Sequence, residues 1–326
     1  MLFTAADSAA QTTGTDSSPT IIFPNLGIKI DEMSSGFNVF GIHIAWYGVI
    51  IAVGMILAAV LVYNLARRNG QNADDYIDIF IATVIFGIIG ARLYYVVFSW
   101  DYYSAHPAEI INLRSGGLAI YGGIIFGVLT MLVMSKIKKM SILKILDTCA
   151  PGVVLAQAIG RWGNFVNREA YGGFTTGLFA MQIKQSDANG VINDELAHHI
   201  VTIGGTHYIQ VHPTFLYESA LCLLIFILIM IFRKKAQYVG EVALWYFGAY
   251  GLGRFFIEGL RTDSLMIGDK IAVSQMLALI LFIGCLAILV VMRIYIFKEP
   301  EKYQYVNLTV PGWKDLKFEK KKKKDV

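Results

Sequence analysis

The chain has 326 residues, of which 56% are hydrophobic and only 16% are charged, with a formal net charge of +4. Soluble domains carry about 25% charged residues, so this composition excludes an ordinary soluble protein and indicates an all-α polytopic membrane protein. The three cysteines lie in separate apolar segments, which excludes a disulfide framework and zinc-type spacing.

Seven apolar segments are long enough to cross a hydrocarbon core about 30 Å thick, which predicts seven transmembrane helices. In chain order they are 43–65, 76–98, 118–135, 143–162, 214–232, 240–260 and 271–297. Asp147, Pro151 and Gly152 interrupt the fourth segment. We therefore expect a kinked or broken helix there, beside a cavity that satisfies irregular backbone.

The basic residues predict the orientation of the spans. Nineteen of the 28 lysines and arginines fall on one side of the predicted spans, and such residues accumulate in cytoplasmic loops. The N-terminus is therefore predicted outside and the C-terminus inside. Six of the nine basic residues on the outer side are arginines, whose planar guanidinium binds phosphate or carboxylate through two parallel hydrogen bonds. The basic residues on the outer side thus indicate a functional site for a phosphate or carboxylate group.

The predicted spans divide the chain into five parts. These are an extracytoplasmic N-terminal arm (1–40), transmembrane helices 1–4 (41–163), a small extracytoplasmic head domain (164–213), transmembrane helices 5–7 (214–297) and a basic cytoplasmic tail (298–326). Apolar and polar residues alternate at 206–211, which predicts a strand in the head domain. The Ser/Thr-rich start is expected to be disordered, 21–40 to lie along the outer interface, and the lysines at 320–324 to be attracted to an anionic leaflet.

A first polar cluster closes the fourth span, where an arginine costs about 2.5–3.5 kcal/mol if it lies at the helix centre. Its polar members are Arg161, Asn164, Asn167, Arg168 and Glu169. Arg161, Asn164 and Arg168 share one face if the helix continues. The alternative is a helix end whose arginines reach out to the interface, but this end lies on the side that basic residues avoid.

A second polar cluster closes the sixth span. Tyr250, Arg254, Glu258 and Arg261 are spaced four, four and three residues apart, which places all four on one helix face. Glu258 lies between the two arginines and would orient them. The functional interpretation is a phosphate clamp for an anionic lipid headgroup, and the alternative is a stripe of ion pairs that only fixes helix packing.

Three shorter motifs accompany these clusters. Tyr47 follows a tryptophan at the outer mouth of the first span, where an aromatic belt is the alternative explanation. Glycines flank Tyr121 at 116–123, which favours close approach to a ligand over simple helix packing. His212 and the residues up to Glu218 enter the fifth span, where they indicate either a functional site or helix-start chemistry.

Several catalytic signatures are absent from the sequence. It contains no HExxH, no GxSxG and no closely spaced aspartates of the kind that hold a metal for phosphodiester chemistry. A reaction on a phospholipid without a metal or another cofactor is therefore favoured.

These motifs together resemble a known family. The pattern Gly-Arg-x-Gly-Asn-Phe-x-Asn-x-Glu-x-x-Gly at 160–172 is similar to the signature of phosphatidylglycerol–prolipoprotein diacylglyceryl transferases. The motifs at 46–48, 116–123, Asp147, 212–218 and 250–261 follow that family's order, so the resemblance covers the first six predicted spans.

The resemblance implies an enzyme at the outer face of the bacterial plasma membrane. It would move diacylglyceryl from phosphatidylglycerol to the lipobox cysteine of a prolipoprotein, releasing glycerol 1-phosphate, with no nucleic-acid partner. Arg161 and Arg254 would bind and stabilise the phosphate. The implied catalytic residues are Arg161, Arg254, Tyr121, Glu258 and Arg261, and the implied substrate-binding residues are Tyr47, Asn164, Asn167, Glu169, Gly172, His212 and Tyr250.

One position departs from the family pattern, because Tyr121 stands where many relatives have histidine. A free tyrosine has a pKa near 10, too high for a general base at neutral pH. We therefore expect Tyr121 to hydrogen-bond a headgroup or thiol, while another acceptor such as the leaving phosphate takes the proton.

Two other functions compete with this interpretation. A transporter or flippase for anionic lipids could use the same arginines, but the sequence shows neither a charged path to the inner face nor the paired repeats common in transporters. A transferase that uses phosphatidylglycerol to modify a sugar or glycan is the other alternative.

Overall fold

A computed structural model describes residues 18, 20–112, 116–262, 266–267, 271–298, 303–307 and 314–318. The helices in these ranges are α1 (Trp46–Arg68), α2 (Ala73–Phe98), α3 (Trp100–Tyr103), α4 (Ile120–Ile137), α5 (Ile142–Asn167), α6 (Asp194–His198), α7 (Thr214–Phe232), α8 (Glu241–Glu258) and α9 (Val273–Lys298). The strands are β1 (Ile21–Phe23), β2 (Ile28–Ile30), β3 (Gly36–Val39), β4 (Ile42–Ala45), β5 (Met181–Lys184), β6 (Val201–Ile203), β7 (Thr206–Val211), β8 (Met266–Ile267), β9 (Ile271–Ala272), β10 (Tyr303–Asn307) and β11 (Lys314–Phe318).

Six helices of the described residues are long and apolar enough to cross a membrane, judged by length and composition. They are α1, α2, α4, α5, α9, and α7 extended to Lys235. Helix α8 has 18 residues but contains Glu241, Arg254 and Glu258. Each of the seven apolar segments predicted from the sequence overlaps one long helix, so the chain is mostly helical, as expected of a polytopic membrane protein.

Helix α5 lies at the centre of the helical part. It packs along α1 on one side and α7 on the other, and it also contacts α8 and α4. Of the predicted kink or break in this segment, the break is wrong, because α5 runs without interruption from Ile142 to Asn167 with Pro151 inside it. The expected cavity beside the segment is present, since Gly152 lines one. Proline removes one backbone donor, but the buried helix around it remains intact.

Asp147 fastens α8 to α5 at the end of α5 where the chain enters that helix. The backbone N–H of Gly240 donates to Asp147 Oδ2 at 2.5 Å, and that of Ala243 donates to Oδ1 at 2.8 Å. The first N–H groups of a helix have no partner inside it, and a negative charge beside them is stabilising. The buried Asp147 carboxylate therefore caps α8 from a neighbouring helix.

A five-stranded antiparallel sheet, in the order β2-β1-β5-β7-β6, stands at the other end of α5 and α7. The strand predicted at 206–211 is β7. Strands β1 and β2 come from the N-terminal arm, and β1 pairs with β5. The apolar face of this sheet packs on Phe165 and Phe215, the ends of the two helices. The fold is thus mostly helical rather than purely α-helical.

Some expectations concern residues outside the described ranges. The predicted disorder at the start of the chain falls on 1–17, and the basic run falls on 320–324, so neither can be compared with the structure. The same holds for Arg114 and Lys270, two of the nine basic residues that the sequence predicts on the outer side.

Replacing Asp147 by alanine is expected to destabilise the protein. The change leaves two buried N–H groups without an acceptor, at about 1–3 kcal/mol for each unsatisfied group. Asn72→Ala is the matched control, since Asn72 caps the exposed start of α2 through one hydrogen bond of 3.3 Å from Asp74 N. Thermal unfolding in detergent should show a clearly lower Tm for Asp147→Ala. Equal Tm losses in the two variants would contradict the proposed fastening.

Candidate functional site

The site is built around Glu218, in the second turn of α7. Its side chain is 2% exposed and contacts three groups from two other helices. Arg161 Nη2 lies 2.8 Å from Oε1, Arg254 Nη1 lies 2.8 Å from Oε2, and the Tyr250 hydroxyl donates to Oε1 at 2.8 Å. Glu218 therefore joins the two arginine clusters predicted from the sequence.

Hydrogen bonds extend from this centre in two directions. Arg161 Nη1 donates to Asn164 Oδ1 at 3.3 Å, and Asn164 Nδ2 donates to Glu169 Oε1 at 2.8 Å. On the other side Arg254 pairs with Glu258, which accepts a 2.5 Å hydrogen bond from Ser274 Oγ. We call this chain of contacts, from Glu169 through Glu218 to Ser274, the arginine network.

A cavity of about 1170 Å³ opens beside the arginine network. Its polar lining includes Tyr47, Tyr121, Arg161, Asn164, Arg254, Glu258 and Arg261. The rest is mostly apolar and follows α5 down to Ile145. Since Arg161 and Ile145 are 16 positions apart, the apolar part is about 24 Å long. The cavity therefore has the shape and chemistry for an anionic head with a long hydrocarbon tail.

Both guanidinium groups retain the capacity to bind an anion. Arg161 and Arg254 are 23% and 17% exposed, and both line the cavity. A guanidinium has five N–H donors, and the contacts above engage two nitrogens of each arginine. Glu218 and Glu258 hold the two guanidinium groups in fixed positions, because breaking a buried ion pair by removing one partner costs about 3–5 kcal/mol. The alternative of a purely structural ion-pair stripe does not account for the adjoining cavity.

Two glycines of the first motif allow close contacts. A Cβ on Gly163 would lie 2.7 Å from the Tyr47 ring, so glycine lets Tyr47 rest against α5 at the cavity wall. A Cβ on Gly172 would lie 2.7 Å from the Leu260 carbonyl oxygen, where Gly172 forms a backbone bridge with Arg261. Gly172 thereby positions Arg261 at the cavity.

Two details of the predicted helix faces are wrong. Helix α8 ends at Glu258, so Arg261 lies in the following loop, although it lines the same cavity. Helix α5 ends at Asn167, and Arg168 has a left-handed backbone with φ of 54°. Its guanidinium donates to the carbonyl oxygens of Asp187 and Met33, both at 3.0 Å, away from Arg161. Arg168 therefore anchors the chain around the sheet.

The remaining predicted residues do not line the cavity; they are Asn167, Glu169, Gly172, His212 and Tyr250. Asn167 is the last residue of α5. The His212 carbonyl accepts a 3.0 Å hydrogen bond from Gly172 N, and His212 Nδ1 lies 3.3 Å from the Tyr217 hydroxyl. Burial lowers the pKa of His212 below its usual 6.5, which favours the neutral ring. The structure thus brings Tyr47, Tyr121, Asn164 and the arginines together at the cavity. His212 lies in the loop between β7 and α7 and does not line the cavity.

The sequence analysis missed Glu218 as the centre of the site. It treated Glu218 as possible helix-start chemistry and assigned the orienting role to Glu258. A signal was present, since Glu218 is the one charged residue in the apolar stretch 214–232. A carboxylate in such a helix is almost never fully buried unless it is paired.

Arg92 is a second residue that the sequence analysis did not assign. Its Nε donates to Ile110 O at 2.8 Å, and its Nη atoms donate to the carbonyl oxygens of Glu109, Gly116 and Gly117 at 2.6–3.0 Å. The buried guanidinium also lies over the Tyr103 ring. Arg92 therefore fixes the loop that leads into α4.

The glycines around Tyr121 have a packing role, although the sequence analysis favoured close approach to a ligand over simple helix packing. Gly117 lies against the Arg92 guanidinium, and Gly122 lies against the backbone of Gly90 in α2. The Tyr121 side chain, in contrast, is 63% exposed and lines the cavity. The glycines thus serve helix packing, and the tyrosine between them reaches the site.

No group of three His, Cys, Asp or Glu side chains in the part of the chain that the structure describes is placed to hold a metal ion.

Comparisons with known proteins show the family to which the chain belongs. Residues 35–291 match the family described as "Prolipoprotein diacylglyceryl transferase". The chain is 45% identical to the phosphatidylglycerol–prolipoprotein diacylglyceryl transferase of Clostridioides difficile over 248 residues, covering 76% of this chain and 90% of that protein. It is 42% identical to the Finegoldia magna protein of the same name over 267 residues, covering 82% and 98%. A Staphylococcus aureus protein of that name is 40% identical over 258 residues, covering 79% and 88%.

Replacing Arg92 by lysine is expected to loosen the loop before α4, although the charge is kept. A lysine ammonium is a point donor and cannot reproduce the fork that spans four carbonyl groups. Limited proteolysis should cut the variant faster within 105–119. Arg67→Lys is the control, because Arg67 lies at the exposed end of α1 over the Tyr63 ring. Unchanged cleavage in Arg92→Lys would show that the carbonyl contacts do not hold the loop.

His212 is expected to make stability depend on pH. Burial lowers its folded-state pKa below 6.5, opposed in part by Glu195. The unfolded chain therefore binds more protons as pH falls below about 6.5, and the folded state loses stability. The difference in Tm between pH 8 and pH 5.5 should be smaller in His212→Asn than in the unmodified protein. An identical Tm difference in the two proteins would show that His212 does not cause the pH dependence of stability.

Proposed function

We propose, on the premise that this chain belongs to the prolipoprotein diacylglyceryl transferase family, that the arginine network is the active site of a phosphatidylglycerol–prolipoprotein diacylglyceryl transferase. The observation that carries this proposal is the pairing of Arg161 and Arg254 through Glu218 at the polar end of a long apolar cavity. Phosphatidylglycerol has the matching shape, with one phosphate and two hydrocarbon chains.

The reaction forms a thioether on the lipobox cysteine of a prolipoprotein. The cysteine sulfur attacks the glyceryl carbon that carries the phosphate, so a carbon–sulfur bond forms and a carbon–oxygen bond breaks. Glycerol 1-phosphate leaves with the bonding electron pair, and the thiol proton is released. The nucleophile belongs to the substrate protein, which leaves the buried Cys222 and Cys285 without a role in the chemistry.

The two arginines act on the leaving group. Negative charge grows on the phosphate ester oxygen as the bond breaks, and preoriented donors in a site with little water stabilise that charge strongly. Glu218 and Glu258 are positioning residues, since they fix the guanidinium groups before the substrate arrives. Asn164 and Glu169 do the same for Arg161 from its other side.

Proton removal from the thiol follows from the positive charge of the site. Neighbouring cations lower the pKa of a thiol and favour the reactive thiolate. Tyr121 lines the cavity and donates a hydrogen bond to the headgroup or the thiol rather than acting as a base. The departing phosphate monoester has a second pKa near 6 and can accept the proton.

The same proposal places the protein in the membrane. All seven long helices span the bilayer, including α8, whose charged side chains pair with other residues of the protein. The N-terminus lies outside and the C-terminus inside, because Arg67, Arg68, Lys138 and the run Arg233–Lys235 fall at one common end. The five-stranded sheet is then an extracytoplasmic head domain, and the arginine network faces the outer side.

The test uses purified protein in phosphatidylglycerol micelles with a lipobox peptide. Glycerol phosphate release and the mass gain of the peptide are followed together. Arg254→Ala should lower kcat by about 100-fold or more, the effect of removing one donor to a developing oxyanion. Arg254→Lys should recover little of the lost kcat, because one ammonium cannot replace the two parallel hydrogen bonds of a guanidinium. Arg67→Ala is the control, because Arg67 lies at the end of α1 away from the arginine network. If the protein bound lipid but did not modify the peptide, lipid transport would be favoured instead.

Replacing Glu218 by glutamine tests the positioning role. The variant keeps the size of the side chain but loses the charge that holds both arginines, and hydrogen bonds to charged groups contribute about 1.5–3 kcal/mol. We expect kcat to fall by about 10- to 100-fold, and Tyr250→Phe, which removes one of the three contacts, to lose less. If Glu218→Gln kept full kcat, the arginines would not need this carboxylate.

A further inference from the structure

A second groove lies between α7, α8 and α9, at the ends of these helices away from the arginine network. Its volume is about 520 Å³. Its lining includes Ile225, Leu228, Lys235, Trp245, Ala249 and Arg293. The cavity of the arginine network shares none of these residues. The groove is therefore a separate site.

The length of the groove corresponds to one leaflet of a bilayer. Ile225 and Lys235 are ten positions apart, which is about 15 Å along a helix. The hydrocarbon core is about 30 Å thick, so one leaflet contributes about 15 Å. An acyl chain that starts at Lys235 would end near Ile225 and would contact Trp245 and Ala249 of α8.

The charge of the groove is positive at its membrane-surface end. Arg293 pairs with the fully buried Glu241, yet 43% of the Arg293 side chain stays exposed. Lys235 Nζ lies 5.0 Å from the centre of the Phe232 ring. Within the described residues no ion pair joins Lys235 to a carboxylate. Two cations and one carboxylate thus leave one unbalanced positive charge beside an apolar channel.

We propose that this groove binds one anionic phospholipid of the cytoplasmic leaflet. The lipid phosphate lies between Lys235 and Arg293, and one acyl chain follows α7 past Leu228 to Ile225. The assignment to the cytoplasmic leaflet rests on the proposed topology, whereas the preference for an anionic lipid rests only on the groove. A basic residue near a membrane surface gives about a fivefold preference for an anionic over a neutral lipid.

Trp245 supplies a direct probe, since it lines the groove. The full-length protein is placed in micelles that contain phosphatidylglycerol or phosphatidylcholine with identical brominated acyl chains, which quench tryptophan on contact. Subtracting the signal of Trp245→Phe isolates the Trp245 contribution from the other four tryptophans, which include Trp162 near the arginine network. Binding of phosphatidylglycerol at the active site is thereby excluded from the readout. Lys235→Gln removes the cation that has no carboxylate partner among the described residues. Lys234→Gln is the matched control, because the neighbouring Lys234 is exposed and does not line the groove.

The proposal predicts that brominated phosphatidylglycerol quenches Trp245 at an about fivefold lower concentration than brominated phosphatidylcholine. Lys235→Gln should remove this difference, and Lys234→Gln should keep it. Equal quenching by both lipids would show only non-selective lipid contact and overturn the proposal. Equal effects of the two lysine variants would also overturn it, because general surface charge would then explain the preference. The transfer reaction can fail or succeed in its own assay without changing either result.

Discussion

The burial of one carboxylate in an apolar helix constrains the rest of this structure. Glu218 is 2% exposed, and an unpaired charge in such a position would be expensive to desolvate. It is satisfied only when α5 supplies Arg161 and α8 supplies Arg254 and Tyr250. The three helices must therefore meet at one level, and the two guanidinium groups are held there before any substrate binds. The stability of the helical assembly and the binding of an anion thus depend on the same ion pairs.

Helix α8 is held to α5 at both of its ends, by different means. At one end the Asp147 carboxylate caps its first N–H groups. At the other end Arg254 reaches Arg161 through their common partner, Glu218. The cavity beside these helices combines a polar end with a long apolar body. This combination suits a phospholipid, because the charged head and the hydrocarbon tail require opposite environments. Arg92, which fixes the loop before α4, sets the position of Tyr121 on the facing wall.

The sequence predicted the seven long helices and both arginines, because an apolar stretch of membrane length and a cation within it are visible locally. It could not predict which carboxylate pairs with which arginine, since Glu218 is 57 positions from Arg161. The pairing of β1 with β5 and the contact of Arg168 with the Met33 carbonyl depend on still more distant partners. The end of α5 at Asn167 was also missed, because a left-handed arginine carries no sequence signal comparable to glycine. Local patterns thus indicated both arginines that line the cavity, and tertiary contacts decided how they are held.

The most direct test of the central claim is an experimental structure of the protein with a phosphonate analogue of phosphatidylglycerol that cannot lose its headgroup. The account predicts phosphonate oxygens within about 3 Å of both the Arg161 and the Arg254 guanidinium, which is hydrogen-bond distance. Both arginines should still contact Glu218, with the acyl chains in the apolar cavity along α5. A phosphonate bound away from these two arginines, with the Glu218 contacts unchanged, would contradict the account and reduce the network to a structural role.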